Sequence, residues 1–295
     1  MAKKLFNTKI GLALGGGAAK GIAHVGVLKA LEDNNVDIRY IAGTSVGAIV
    51  AALYAFNIDV DTIGGLAKRL TMSKVTSFKL SKTGFFSTES LRDLMVEYLG
   101  EVNIEEANIP LSIVATDIKT GEEIILTHGS VADAVCASAA IPGIYIPVQI
   151  GTRTLVDGGL VQNVPIEALQ AMGAGVTIAS HLNSASHYSD ISHVLDVMRN
   201  AFEIAVSHHT RDQLESADLL ISMDVSNFSL RDNTDRYDEL FAVGYNTATQ
   251  QLNKLVWYKK RNVLLYPWRA VKELAPFKVP EAVKRLTLEK NSVDK

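Results

Sequence analysis

The sequence predicts an α/β fold with a mainly parallel central sheet, because two strand–turn–helix units open the chain and strands alternate with helices after them. In the first unit, the apolar segment 10–14 ends in glycines, and apolar residues then recur at helical spacing over 22–32. In the second, the strand-like segment 40–42 leads into a tight turn and an apolar helix-like run over 48–56. A short, wholly apolar strand is typical of a central strand covered on both faces.

The alternation continues along the rest of the chain. Helical patterns are predicted at 60–70, 88–99, 131–140, 165–172, 189–216 and 237–255. Strand patterns are predicted at 111–116, 122–126, 154–157, 174–180 and 218–224. Since no clear linker interrupts them, we expect one domain over residues 1–256 and a less regular tail over 257–295.

Composition bounds the class of protein and its partners. The chain has 295 residues, 47% apolar and 21% charged, which is enough for a large buried core. The formal net charge of -3 gives no electrostatic basis for binding nucleic acid. Cys136 is the single cysteine, so a disulfide framework and a cysteine-based metal site are both excluded. We expect no metal and no other cofactor.

The apolar segments near the start predict neither a secretion signal nor a membrane span. Asn7, Thr8 and Lys9 interrupt the first apolar run, and glycines follow it closely. The second apolar stretch, 41–56, is shorter than the roughly 20 residues that cross a bilayer. We therefore expect a cytoplasmic protein that touches, at most, the inner face of a membrane.

Ser45 is the candidate nucleophile because of the turn that carries it. Gly43 and Gly47 flank it between a strand and a helix. Such a turn projects a hydroxyl outward at the carboxyl end of the strand, and a side chain at either glycine would collide with a neighbouring element. A Gly-x-Ser-x-Gly match arises by chance in about one chain in ten of this length, so other segments must support the assignment.

A glycine-rich turn after the first strand is the candidate anion-binding element. Gly15, Gly16 and Gly17 are followed by Lys20 and Gly21, and a helix begins there. A dinucleotide fingerprint would need glycine where Lys20 stands, and a P-loop would need lysine after the last glycine. Two interpretations remain: the amides of the first three glycines form an oxyanion hole, or the turn only lets the helix pack close to the strand.

A third block completes a resemblance. Asp157 ends an apolar strand and is followed by Gly158 and Gly159. Together with the glycine-rich turn and the Ser45 turn, in this order, the block resembles the patatin-like phospholipase family in its compact bacterial form. The intervening segments match as well, at 23–28, at 137–142 with Pro147 beyond it, and at 163–165. The resemblance is strong over residues 9–182 and weaker after them.

The resemblance implies a three-layer α/β/α sandwich and a Ser-Asp dyad. In such a dyad, Ser45 would be the nucleophile, Asp157 the base, and the glycine turn the oxyanion hole. The implied activity is hydrolysis of lipid carboxylic esters, from phospholipids or lysophospholipids, through an acyl-enzyme and without a cofactor. Lys20 stands where many relatives carry arginine, so a bidentate phosphate contact becomes a single point charge.

The histidines offer an alternative to the dyad. An α/β-hydrolase order of Ser45, Asp157 and then a histidine would suit His181, His187, His193, His208 or His209. The serine of that fold follows several strands, whereas only two strands precede Ser45, which favours the dyad. Because an aspartate of ordinary pKa is a weak base, we expect burial to raise the pKa of Asp157.

Two questions stay open from the sequence. The tail carries aromatic and basic residues between Trp257 and Arg269, which would pack on the domain, contact another copy of the chain, or lie at the headgroup level of a membrane. The second question is turnover itself, because a fold and a motif do not guarantee it. The alternative to an esterase is a non-catalytic or regulatory lipid- or protein-binding member that retains the pocket.

Overall fold

The computed structural model describes residues 9–69, 77–78, 81, 83–183, 191–228 and 236–260. Its strands are β1 Ile10–Leu14, β2 Ile38–Thr44, β3 Ser77–Phe78, β4 Phe86–Ser87, β5 Leu111–Asp117, β6 Glu123–Leu126, β7 Val148–Ile150, β8 Arg153–Asp157, β9 Val176–Asn183 and β10 Leu219–Asp224. Its α-helices are α1 Ile22–Asp33, α2 Val46–Ala55, α3 Val60–Arg69, α4 Glu89–Leu99, α5 Val131–Ser138, α6 Gly159–Gln162, α7 Ile166–Ala171, α8 Val194–Leu214 and α9 Tyr237–Lys260.

Eight of the strands form one mixed sheet, and β3 pairs with β4 apart from it. The order along the sheet is β10-β9-β1-β2-β5-β8-β7, with β6 paired to β5. The pairs from β10 to β5 are parallel, and the pairs of β5 with β6, β5 with β8 and β8 with β7 are antiparallel. The predicted α/β fold with a mainly parallel sheet is confirmed.

Helices cover both faces of the sheet, as neighbouring residues of β5 show. Val114 packs in a cluster with Ile166 and Leu169 of α7. Ala115, the next residue, packs with Ala137 of α5. Because successive residues of a strand point to opposite faces, α7 and α5 lie on opposite sides. The architecture is therefore the three-layer α/β/α sandwich that the resemblance implied.

The register on β5 brings the ends of two other strands together. Thr44, the last residue of β2, pairs with Val114, and Asp157, the last residue of β8, pairs with Ala115. At both places β6 occupies one edge of β5, so β2 and β8 must share the other edge. The two strands run toward each other along this edge, and their carboxyl ends meet.

The C-terminal part agrees with the predicted elements where it is described. The helical pattern predicted over 189–216 corresponds to the single helix α8, Val194–Leu214, and the last predicted helix continues to Lys260. The chain divides into two compact units, Met1–Lys254 and Leu255–Lys295. Of the tail, only Trp257–Lys260 falls within the described residues, so its predicted contacts remain predictions. No helix among the described residues has the length and apolar character needed to cross a membrane.

Candidate active site

Ser45 lies on a sharp turn between β2 and α2. Its backbone has φ 55° and ψ -124°, a conformation that residues other than glycine rarely adopt. A Cβ on Gly47 would collide with the carbonyl oxygen of Leu14, and a Cβ on Gly43 would collide with the backbone of Ala48. The predicted reason for both glycines is thus confirmed: only glycine lets β1, β2 and α2 approach so closely.

The backbone of the turn is held by a buried serine. The Ser45 N–H donates to Oγ of Ser138 at 2.9 Å, and this hydroxyl donates to the carbonyl of Val114 at 2.6 Å. Ser138 is fully buried at the end of α5. Since its N–H is already bonded, Ser45 presents its side chain to the site and its amide to the scaffold.

Asp157 is buried, and its backbone is fixed on both sides. Its N–H donates to the carbonyl of Ala140 at 2.9 Å, and its carbonyl accepts from Oγ1 of Thr116 at 2.9 Å. Oδ1 of the carboxyl group accepts from the N–H of Gly159 at 2.7 Å. Oδ2 is buried and accepts no hydrogen bond from the described residues. One carboxylate oxygen is therefore positioned, and the other is available.

Burial makes Asp157 a stronger base than an ordinary aspartate. Desolvation raises the pKa of its carboxyl group to about 6, and the Ser45 hydroxyl and the Gly159 N–H oppose this rise by interacting with the charged form. The Ser45 hydroxyl is therefore close enough to stabilise the carboxylate form of Asp157, although no hydrogen bond joins it to Oδ2. The expectation that the site desolvates Asp157 is met.

The glycine turn lies against Ser45, but two of its three amides are occupied. A Cβ on Gly16 would come within 3.3 Å of the Cβ of Ser45. The N–H of Gly15 donates to the carbonyl of Ser180, and the N–H of Gly16 donates to the carbonyl of Asn163, both at 3.0 Å. Of the three predicted oxyanion donors, the Gly17 amide alone has no such bond to a described residue. The arrangement narrows the predicted oxyanion hole to the Gly17 end of the turn.

A buried histidine anchors the same turn. Nε2 of His24 lies 2.8 Å from the carbonyl oxygen of Gly15, and Nδ1 lies 2.8 Å from Oγ of Ser180. Burial lowers the pKa of His24 to about 4, so the ring is neutral at neutral pH. A carbonyl can only accept, so Nε2 carries the proton and Nδ1 accepts from the Ser180 hydroxyl. His24 and Ser180 together fix the carbonyl and the amide of Gly15.

The remaining motif residues lie around this centre. A Cβ on Gly21 would collide with Val46, and a Cβ on Gly158 would collide with the carbonyl oxygen of Val114. A Cβ on Gly159 would lie 3.4 Å from Phe202 of α8. Lys20 is half-buried on the short 3₁₀ turn Ala18–Gly21 that follows the first three glycines. The structure therefore brings the predicted site residues together at the carboxyl ends of β1, β2 and β8.

The histidines that the sequence offered for a triad are not bonded to Ser45 or Asp157 where the structure describes them. His193, His208 and His209 are exposed, and His187 lies outside the described residues. Nδ1 of His181 lies 3.4 Å from Oγ of Ser222. No hydrogen bond joins a histidine to Ser45 or Asp157 within the described part of the chain. There is likewise no group of three or more His, Cys, Asp or Glu residues in that part able to hold a metal ion.

Several supporting residues carried too weak a sequence signal for a role to be assigned. His24, Ser138 and Asn163 each fall within segments that contributed to the resemblance, but a buried histidine, serine or asparagine has no periodicity of its own. Ser180 lay at the end of a predicted strand without any motif. Their partners come from distant segments, so their roles become visible only from the tertiary structure.

The part of the chain that contains Ser45 and Asp157 is similar to known proteins. The family model described as patatin-like phospholipase matches residues 12–169. A protein of Mycobacterium tuberculosis described as an uncharacterized NTE family protein is 36% identical over 180 residues, which are 60% of this chain and 50% of that protein. Lysophospholipase NTE1 of Pyricularia oryzae is 30% identical over 190 residues, which are 62% of this chain and 13% of that protein. The chain thus spans half or less of the length of these relatives.

Solved structures share the fold at low sequence identity. VipD from Legionella pneumophila superposes with a TM-score of 0.54 and 14% identity, over 84% of this chain and 67% of that one. ExoU from Pseudomonas aeruginosa, in complex with SpcU, superposes with a TM-score of 0.52 and 14% identity, over 84% of this chain and 52% of that one.

Proposed function

The chain belongs to the patatin-like phospholipase family, and on that premise we propose that it is a serine acyl hydrolase that cleaves carboxylic esters of lipids. The observation that carries the proposal is the meeting of Ser45 and Asp157 at the ends of β2 and β8. A hydroxyl needs an adjacent base to become a nucleophile, and the buried carboxyl group of Asp157 has the raised pKa and the unoccupied oxygen that such a base requires.

In the proposed reaction, Asp157 takes the proton of the Ser45 hydroxyl while Oγ attacks the ester carbonyl carbon. The oxyanion that forms would lie near the Gly17 amide and the N-terminus of α2, whose partial positive charge favours an anion. Collapse of this intermediate expels the alcohol, which receives the proton from Asp157 and leaves an acyl group on Ser45. Water then gives a proton to Asp157 and attacks the acyl carbon; the bond from this carbon to Ser45 Oγ breaks, Oγ takes the proton back from Asp157, and the fatty acid is released.

We propose a phospholipid or lysophospholipid as the substrate, which makes the enzyme a phospholipase A or lysophospholipase. Support comes from the family description and from relatives named lysophospholipase. Apolar residues near the site fit an acyl chain: Phe202 and Val206 of α8 lie beside Gly159, and Met198 of the same helix lies beside Gly143. The cytoplasmic location expected from the sequence remains part of this proposal.

The test combines covalent labelling with hydrolysis. We expect a fluorophosphonate probe to modify Ser45, located by peptide mass spectrometry, and we expect fatty acid release from lysophospholipid micelles and from a soluble chromogenic ester. Ser45→Ala is the blank, and Ser207→Ala, a half-buried serine of α8 outside the site, is the matched control. Wild-type hydrolysis no faster than that of Ser45→Ala across short and long acyl chains would leave the binding-protein alternative.

A further inference from the structure

Asn163 is a buried asparagine whose side chain lies beside the glycine turn and Ser45. It is 6% exposed. A Cβ on Gly16 would lie 2.6 Å from Oδ1 of Asn163 and 3.3 Å from the Cβ of Ser45. The amide oxygen and the Ser45 side chain are therefore near enough for one water molecule to contact both.

Hydrogen bonds with α8 decide which way the amide group of Asn163 points. Oγ1 of Thr210 donates its one proton to the carbonyl of Val206 at 2.7 Å. It can therefore only accept from Asn163, whose Nδ2 lies 3.1 Å away. Since the nitrogen faces Thr210, Oδ1 faces the glycine turn and Ser45. Oδ1 accepts no hydrogen bond from the described residues.

The backbone around Asn163 is fixed as well. Its carbonyl accepts from the N–H of Gly16 at 3.0 Å. Gln213 of α8 donates through Nε2 to the carbonyl of Val161 at 2.9 Å and accepts through Oε1 from the N–H of Val164 at 3.2 Å. The acceptor Oδ1 is thus held in place before any ligand arrives, as a group that acts on a transition state needs to be.

An acceptor at this place can serve only a hydrogen-bond donor. It would repel the oxyanion of the proposed reaction, so it does not belong to the oxyanion hole. The Ser45 hydroxyl and the leaving alcohol each exchange a single proton with Asp157. Water, which attacks in the second step, carries two protons, and Asp157 takes only one of them. The second O–H group of the water therefore needs an acceptor of its own.

We propose that Oδ1 of Asn163 accepts a hydrogen bond from this second O–H group and thereby favours water over alcohols in the attack on the acyl-enzyme. The inference rests on the proposed function, because it concerns the second step of that reaction. The proton bonded to Oδ1 stays on the water oxygen and becomes that of the carboxylic acid when the bond to Ser45 Oγ breaks. Methanol has one hydroxyl proton, which Asp157 takes, and a methyl group in place of the second, so it gains nothing from Asn163.

The test measures how one acyl-enzyme divides between water and methanol. Wild type and Asn163→Ala receive the same chromogenic ester at one fixed methanol concentration, and the fatty acid and its methyl ester are quantified by mass spectrometry. We expect Asn163→Ala to lower the ratio of fatty acid to methyl ester about tenfold, as the loss of one hydrogen bond to the attacking water would. Because both products come from the same intermediate, this ratio does not depend on how much of the enzyme is folded.

A second variant and a control separate the amide oxygen from the fold. Thr210→Val removes the acceptor that orients the amide group, so we expect the ratio to fall in the same direction, by about threefold. Asn34→Ala is the matched control, because the Asn34 amide binds the carbonyl of Ala30 at the end of α1, on an element apart from Asn163. It should keep the wild-type ratio.

An unchanged ratio in Asn163→Ala, or an equal change in Asn34→Ala, would overturn the role of Asn163 while leaving the proposed hydrolase intact. If Asn163→Ala does not fold, the ratio in Thr210→Val decides. Absence of both products above the Ser45→Ala blank would overturn the proposed function and, with it, this inference.

Discussion

At the scale of single residues, the proposed role of Asp157 makes activity depend on pH. In that role its carboxyl group must be ionised to take a proton from Ser45, and burial raises its pKa to about 6. We therefore expect kcat/KM on an uncharged chromogenic ester to be constant above pH 7 and to fall about tenfold per pH unit below pH 6. A profile with no titration between pH 5 and 7 would contradict the role of Asp157 as base.

The matching substitution is Asp157→Asn. The amide oxygen can still accept from the N–H of Gly159, but the side chain can no longer take a proton. We expect kcat to fall by about 100- to 10,000-fold, as is usual when a general base is lost. Asp133→Asn, a carboxylate paired with Arg92 on the surface, is the control and should keep its rate. The measurement is ester hydrolysis with the Ser45→Ala rate subtracted.

His24 is a positioning residue whose effect should appear in kcat. Because Nε2 fixes the Gly15 carbonyl, we expect His24→Ala to release the turn that presents the Gly17 amide and to lower kcat about 10- to 100-fold with KM within about twofold. His24→Gln, which keeps a donor and an acceptor, should recover part of the rate. If the two variants have the same melting temperature and His24→Gln has no higher kcat than His24→Ala, the anchoring role is wrong.

At the scale of elements, the close packing of β1, β2 and α2 accounts for the glycines around Ser45. A methyl group at Gly47 meets the backbone of Leu14, whereas one at Gly65, inside α3, meets nothing within 4 Å. We expect Gly47→Ala to lower the free energy of unfolding by about 1–3 kcal/mol, because the strand must shift to make room. Gly65→Ala should raise it by about 0.5–1 kcal/mol through helix propensity. Urea unfolding of both variants checks the contrast.

The sequence predicts the strands and helices well, but it predicts poorly how they pair and contact one another. Short apolar segments that end in glycine predicted β1 and β2, and helical spacing predicted α1 within one residue of its observed end at Asp33. That β2 and β8 share one edge of β5 depends on where β6 pairs, and no local pattern encodes such a register. No local pattern reveals either that the amides of Gly15 and Gly16, predicted as oxyanion donors, are hydrogen-bonded to the carbonyl groups of Ser180 and Asn163, because these partners come from distant segments.

At the scale of the whole molecule, the buried carboxyl group of Asp157 reduces stability at neutral pH. Its pKa is higher in the folded chain, at about 6, than the roughly 3.9 of an unfolded aspartate, so the folded state binds more protons between these values. This contribution is absent below pH 4, and it lowers the free energy of unfolding as the pH rises through 6.

Asp157→Asn removes that cost. We expect the variant to be about 1–3 kcal/mol more stable than the wild type at pH 8, with the difference vanishing near pH 4. His24 and His181, whose pKa values burial lowers to about 4, change wild-type stability in the opposite sense, so the quantity to follow is the difference between the two proteins at each pH. A difference that does not depend on pH would contradict the raised pKa.

The shared edge of β5 also has a kinetic meaning for refolding. Closing the β2 and β8 pairings on it requires two long chain loops, because the three strands are far apart in the sequence. Helical circular dichroism can return before either loop is closed, but nucleophilic reactivity cannot. On the proposed function, the rate at which refolding protein regains fluorophosphonate labelling of Ser45 would therefore report when these last long-range contacts form.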